Sequence, residues 1–244
     1  MKRILIVGGA NGIGLAIAKQ LCKSDVTEKV YIIDKAPLAE QYHESKIESF
    51  EFDLTDEDYS ILDRFTDIDG LMITAGFGKL ALFEDIADAM ITTYFKVNTI
   101  SVIRIIKHFY DKLLSPHDFY CGVMVSIAGF MSSPFFSVYG ATKAALKIFI
   151  ESVNVELEKA GTSNRILNIS PGSIKGTSFN QKETNLEMLA SLADDIINHL
   201  ECKDDLYIPL YEEVYKHVLK RYHEDFRKEG LHSYEYKLSS GRIK

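Results

Sequence analysis

Seven short aliphatic runs, separated through most of the chain by stretches with apolar residues three and four apart, restrict the fold of this sequence more than any other feature. The runs are Ile4 to Val7, Val30 to Ile33, Ile47 to Phe52, Leu71 to Thr74, Val123 to Ser126, Ile166 to Ile169 and Leu206 to Ile208. They are short for helices and mostly lack polar alternation, so they read as strands covered on both faces. Strands alternating with helical stretches build βαβ units, and right-handed crossovers then lead to a doubly wound, mostly parallel α/β sheet with helices on both faces. The longest helical stretches run from about Ile86 to Leu114, ended by Ser115-Pro116, and from Tyr139 to Lys159, ended by Gly161. No Gly/Ser-rich linker or repeat divides the chain, and 244 residues that are 46% hydrophobic suffice for one sizeable core. Residues 1–209 are therefore expected to form one domain.

The first run passes directly into Gly8-Gly9-Ala10-Asn11-Gly12-Ile13-Gly14, after which Leu15 to Leu21 reads as a helix. Gly8, Gly12 and Gly14 allow a tight turn and a close backbone approach to a pyrophosphate, which the helix N-terminus would stabilise through its free N–H groups. Asp34 closes the second run, where a carboxylate can accept both hydroxyls of an adenosine ribose and repel a 2′-phosphate. NAD is therefore favoured, with NADP the alternative because Lys35 stands beside Asp34. Asp53-Leu54 and Thr74-Ala75-Gly76 follow the third and fourth runs, outside the carboxyl ends of strands, where ligands bind in open α/β sheets. Asp53 also reads as the N-cap of a first helical turn at Thr55-Asp56-Glu57.

Tyr139 and Lys143 are four residues apart and share a helix face, with Ser126 thirteen residues upstream. A free phenol, with a pKa of about 10, is a poor base at neutral pH, but a fixed cation nearby favours the phenolate. The expectation is that Lys143 lowers the Tyr139 pKa while the Ser126 hydroxyl holds the oxygen of an alcohol or carbonyl. Alone, Tyr-x-x-x-Lys is more often a solvated surface pair. A net charge of −7 with no basic block argues against a nucleic-acid surface and for a small ligand. Cys22, Cys121 and Cys202 are widely spaced without a CxxC pair, and His43, His108 and His117 lack partners at ligand spacing, so no metal is expected. A reduced, cytoplasmic setting fits, and no run reaches transmembrane length.

From Lys2 to about Thr177, and more weakly to Pro209, the chain resembles the short-chain dehydrogenase/reductase family, whose fold is Rossmann-type. Val7-Gly8-Gly9-Ala10-Asn11-Gly12-Ile13-Gly14 resembles its glycine loop, with Val7 in place of a threonine. Ala75-Gly76 resembles the end of its Asn-Asn-Ala-Gly, with Ile73 and Thr74 in place of the asparagines. That departure touches a sheet-stabilising hydrogen bond more than the chemistry. Asn98 matches the family's helix asparagine, and Ser126, Tyr139 and Lys143 match its serine and Tyr-x-x-x-Lys. Pro171-Gly172-Ser173-Ile174-Lys175-Gly176-Thr177 resembles the segment covering the nicotinamide, with one extra residue before Thr177. The resemblance implies that Tyr139 is the general acid/base, Lys143 lowers its pKa and holds the nicotinamide ribose, Ser126 orients the substrate oxygen, and Asn98 keeps a water in a proton relay. It further implies that Gly8, Asn11, Gly12, Ile13, Gly14, Asp34, Asp53, Leu54, Ala75, Gly76, Pro171, Gly172, Ile174 and Thr177 join Tyr139 and Lys143 in binding the dinucleotide.

The function implied is interconversion of a secondary alcohol and a ketone with NAD(H), or NADP(H). The alternative is a catalytically silent dinucleotide-binding sensor or scaffold. A nucleotide-sugar epimerase would carry Gly-x-x-Gly-x-x-Gly. The apolar segment Ala128 to Phe136 follows Ser126 and reads equally as a substrate wall or as core packing and inter-subunit contact, and Ser178 to Met188 stands where the family carries a substrate lid. Tyr211, Val214, Tyr215, Val218, Leu219, Tyr222 and Phe226 recur at helical spacing, so residues 210–244 read as a helical extension packed on the domain, with cover for the active site or a neighbouring subunit as the alternative. The family resemblance further implies a homodimer or homotetramer through the two long helices.

Overall fold

The computed structural model describes residues 1–177 and 183–239. Its seven strands are β1 (Arg3–Val7), β2 (Lys29–Asp34), β3 (Ile47–Glu51), β4 (Gly70–Ile73), β5 (Tyr120–Met124), β6 (Ile166–Ile169) and β7 (Leu206–Tyr207). They form one sheet in the order β3-β2-β1-β4-β5-β6-β7, and all six pairings are parallel. Val7 pairs with both Ile33 and Ile73, so β1, β2 and β4 end level and the loops that follow them open on one edge.

Side-chain alternation along β1 explains the two layers. Leu5 and Val7 point into a core shared with Ile105, Leu146 and Ile150, whereas Ile4 and Ile6 point into a second core with Leu15, Ile17, Leu189 and Ile196. The first core is covered by α3 (Ser101–His108) and α5 (Ser137–Lys159), the second by α1 (Gly12–Lys23) and α6 (Leu186–Glu201). Each fully buried Ile or Leu contributes roughly 1.5–3 kcal/mol, so a polar residue on either face of the central strands would be strongly destabilising. α5 ends in a Schellman arrangement: Gly161 takes φ +81 and donates to Glu158 O at 3.0 Å, and Thr162 donates to Leu157 O at 3.3 Å.

Three expectations are corrected. The stretch from Ile86 to Leu114 is not one helix but α2 (Asp88–Phe95), a π-helical turn at Lys96–Ile100, α3 and α4 (Tyr110–Leu114). Ser101 Oγ donates to Val97 O at 2.6 Å and the Asn98 amide is drawn to the Phe77 backbone, which pulls this turn out of the regular ladder. Asp53 starts no helix: its Oδ1 accepts from both the nitrogen and the hydroxyl of Thr55, closing a local turn instead. The extension is also more than one helix. After a π-helical turn at Tyr211–Tyr215, α7 (Lys216–Glu224) stops at Asp225, whose Oδ1 accepts from the Arg227 and Lys228 nitrogens and starts α8 (Phe226–Ser239).

Candidate active site

The glycine loop is shaped by close approach. Gly8 has φ +88, and a Cβ there would lie 2.4 Å from the Ala75 nitrogen; a Cβ on Gly14 would lie 2.4 Å from the Gly8 oxygen. Asn11 holds the N-cap position of α1 in extended backbone, and Ile13 packs partly buried on the second core. Gly12, at φ +56, opens α1 and donates its N–H to Thr184 Oγ1 at 2.8 Å. That helix N-terminus thus already meets an oxygen acceptor of the kind a phosphate supplies, and the backbone packing admits only glycine at Gly8 and Gly14, so the cradle fits a dinucleotide. Thr74 braces it by donating to Gly8 O at 2.8 Å, a hydroxyl link where the related pattern has an asparagine.

At the end of β2, Asp34 accepts from the Ala10 nitrogen at 3.0 Å and the Ala36 nitrogen at 3.1 Å, so its carboxylate faces the glycine loop. Lys35 turns away and pairs with Asp53 at 2.6 Å. Lys35 and the Thr55 nitrogen together hold the Asp53 carboxyl down at about 2. Leu54 packs against the first core, and its carbonyl accepts from Tyr59.

Across the carboxyl edge of the sheet, β5 delivers Ser126, while Tyr139 sits in the first turn of α5 and Lys143 one turn later. Tyr139 and Lys143 are both buried, at 8% and 3% exposure, which removes the solvated-pair reading. The Ser126 hydroxyl hydrogen-bonds the Tyr139 phenol and also accepts from the Ala128 nitrogen at 3.1 Å. Lys143 donates to Met124 O at 2.9 Å, and its Nζ lies 5.8 Å from the Tyr139 ring centre. Gly76 makes room for it, since a Cβ there would be 3.3 Å from both Lys143 Nζ and Asn98 Oδ1.

Electrostatics here correct the expected order of effects. Burial among Tyr94, Ala128, Val138 and Phe136 pushes the Tyr139 phenol up to about 12, against which the Ser126 hydrogen bond acts downward, and Tyr94 adds to the rise. Burial also pushes Lys143 down to about 7. Desolvation is the largest effect on both groups in this buried pocket, raising the phenol and lowering the ammonium.

Asn98 is fully buried at the centre of the π-helical turn. Its Oδ1 accepts from Phe77 N at 3.0 Å, and its Nδ2 donates to Phe77 O at 2.9 Å and to Thr142 Oγ1 at 3.3 Å. The amide therefore ties the loop after β4 to α5. Pro171 O accepts from Ile127 N at 3.0 Å, which joins the segment after β6 to Ser126. Ile174 packs on the second core; Thr177 donates to Ile174 O at 3.2 Å and lies beside Gly12, at the glycine loop. Of the segment expected as a lid, residues 178–182 lie outside those described, and Asn185 caps α6 by accepting from Met188 N at 3.0 Å.

The family profile for short chain dehydrogenases matches residues 2–187. The chain belongs to the short-chain dehydrogenase family. It is an oxidoreductase family with a dinucleotide-binding fold. An uncharacterized short-chain type dehydrogenase/reductase of Sinorhizobium fredii is 32% identical over 181 residues, spanning 70% of this chain and 69% of that protein. In fold, the chain is similar to a short chain dehydrogenase/reductase from Burkholderia phymatum in complex with NAD, with TM-score 0.78 and 16% identity over 93% of this chain and 95% of that one. It is also similar to a short chain dehydrogenase from Burkholderia cenocepacia in complex with NADP, with TM-score 0.70 and 17% identity over 91% and 98%.

Several residues of this oxidoreductase's site carried no sequence signal that tied them to it. Tyr94 stacks on Phe77 at 4.6 Å and accepts from Lys79 N at 3.0 Å, so it walls the Tyr139 pocket, yet it reads as an ordinary apolar helix position. Thr142 donates to the Tyr139 carbonyl at 2.6 Å while accepting from Asn98. Tyr215, from the extension, lies where a Cβ on Gly172 would be, 1.5 Å from its hydroxyl oxygen.

Proposed function

We propose that this family member interconverts a secondary alcohol and a ketone, with NAD(H) as the preferred cofactor. The observation carrying the reading is the Ser126–Tyr139–Lys143 group, with Tyr139 and Lys143 buried, on the sheet edge that also bears the glycine cradle. The dinucleotide supplies the hydride acceptor or donor. Ser126 holds the substrate oxygen, Tyr139 exchanges a proton with it, and Lys143 keeps a donor close by at Met124. In carbonyl reduction the Tyr139 phenol would give its proton to the developing alkoxide, and in alcohol oxidation its phenolate would take the proton up. The NAD preference rests on Asp34 facing the glycine loop and on Lys35 being committed to Asp53. Gly8, Asn11, Gly12, Ile13, Gly14, Ala75, Gly76, Asp53, Leu54, Pro171, Gly172, Ile174 and Thr177 would complete the cofactor contacts, and Asn98 would support the proton path.

Residues 1–209 act as one domain and 210–244 as an extension of it in this reading. A homodimer or homotetramer is supported by the exposed Ile100, Ile148 and Val155 on the helices flanking the site, and sedimentation as a monomer at micromolar concentration would contradict it. Tyr139→Phe removes the transferable proton and should lower turnover of ketones by about 10²–10⁴-fold with unchanged NADH binding. Retention of most turnover would remove Tyr139 from the chemistry. Dinucleotide binding with no turnover on a broad alcohol and ketone panel would favour a silent sensor.

A further inference from the structure

The loop between Ser126 and α5 contains the one buried residue with an unfavourable backbone among those described: Phe135, 4% exposed, at φ +66. A bulky side chain rarely adopts that region and persists there only where its surroundings impose it. One restraint comes from the domain, since Ala81 N donates to Phe135 O at 3.0 Å. Others come from α8, about a hundred residues away in sequence. The Tyr234 ring packs on Phe135 with centres 4.5 Å apart, and Lys237 Nζ donates to Ser133 Oγ and to Pro134 O, each at 2.7 Å. Gly230 brings the same helix close to the Ser132 hydroxyl, at 3.6 Å from where its Cβ would be. Lys237 is buried although it is a lysine near the chain's end, and its Nζ lies 5.3 Å from the Phe136 ring centre.

Phe136 connects this loop to the chemistry. It precedes the first turn of α5, accepts from Gly140 N at 2.7 Å, and sets its ring 5.2 Å from the Tyr139 ring. We infer that α8 is part of the active site's scaffold, and that Tyr234 and Lys237 are positioning residues that hold the strained Ser133–Phe136 loop so that Phe136 packs against Tyr139. The inference rests on Tyr139 being the acid/base group. It assigns the extension a task that simple packing does not require. Released from α8, Phe135 would relax toward an ordinary backbone conformation, Phe136 would move, and water would reach the phenol.

The variants are Lys237→Met, which keeps the stem and removes both donated bonds, and Tyr234→Leu, with Tyr234→Phe as the conservative partner that keeps the ring. Lys237→Met and Tyr234→Leu should lower kcat/KM on the best ketone by between about ten- and a hundredfold, the scale of a roughly 1 Å displacement at a reacting centre. They should move the high-pH tyrosine limb of the profile to lower pH, speed amide hydrogen exchange across residues 135–140, and leave NADH affinity unchanged. Tyr234→Phe should match the parent. A fall in melting temperature with an unchanged kcat/KM, pH limb and exchange at 135–140 would overturn the inference and return α8 to passive packing. If the parent turns over no substrate, the oxidoreductase reading fails separately. Exchange across residues 135–140 then decides the scaffold role alone, faster exchange supporting it and unchanged exchange refuting it.

Discussion

Lys143→Met should make the protein more stable while abolishing its turnover. Burial moves the Lys143 ammonium from its ordinary 10.5 to about 7, because the charged form has left water and donates to the Met124 carbonyl at 2.9 Å instead. The folded pKa lies below the unfolded one, so between pH 7 and 10.5 the unfolded chain binds more protons and stability rises with pH; the penalty is complete below about 7. A shift of that size corresponds to about 4 kcal/mol of cost at pH 7, taking roughly 1.4 kcal/mol per pKa unit. Methionine fills nearly the same volume without a charge, but it leaves the Met124 carbonyl unpaired at a cost of about 1–3 kcal/mol. The net gain is then about 1–3 kcal/mol at pH 7, or roughly 2–10 °C in melting temperature for a chain of this length. Its signature is pH dependence. Urea unfolding at pH 6, 7, 8 and 9 should show the variant's advantage shrinking by about 2–3 kcal/mol across that range, since the parent sheds its buried charge as pH rises. The range stops short of tyrosine ionisation, which would take stability away between pH 10 and about 12 as the unfolded phenol loses its proton first. A variant less stable than the parent at pH 6, or a difference that does not change with pH, would refute the burial argument.

Asp34→Ala should weaken NADH binding by about 10- to 100-fold, the loss of charge-assisted hydrogen bonds, while affecting NADPH less. Cofactor fluorescence titration measures both affinities, and a parent that binds NADPH more tightly would refute the NAD preference. Gly172→Ala forces its Cβ into the Tyr215 hydroxyl and should cost about 1–3 kcal/mol by overpacking. Adding Tyr215→Ala should recover much of that loss in urea unfolding, and strictly additive effects would show that the two do not meet.

The parts of this molecule that were legible in its sequence are those imposed by backbone requirements. Short aliphatic runs marked every strand in the sheet, with β5 beginning at Tyr120 rather than Val123, because Tyr120-Cys121-Gly122 pair with neighbours without forming an aliphatic run. Glycine spacing marked a cradle in which a Cβ has no room. Spacing could also bring Tyr139 near Lys143, but it carries no information about dielectric. Whether a cation lowers a phenol's pKa depends on how much water both groups keep, and here both lost nearly all of it. The π-helical turn at Asn98 was hidden for a related reason: apolar periodicity runs on through it, and the pull on Asn98 comes from Phe77 in another element. Tyr234 and Lys237 were the least visible, since nothing local distinguishes a lysine that hydrogen-bonds a loop a hundred residues earlier from one that faces water. A side chain's neighbours determine its chemistry, so the same burial that makes Lys143 costly to fold is what separates Tyr139 and Lys143 from the many surface pairs that share their spacing.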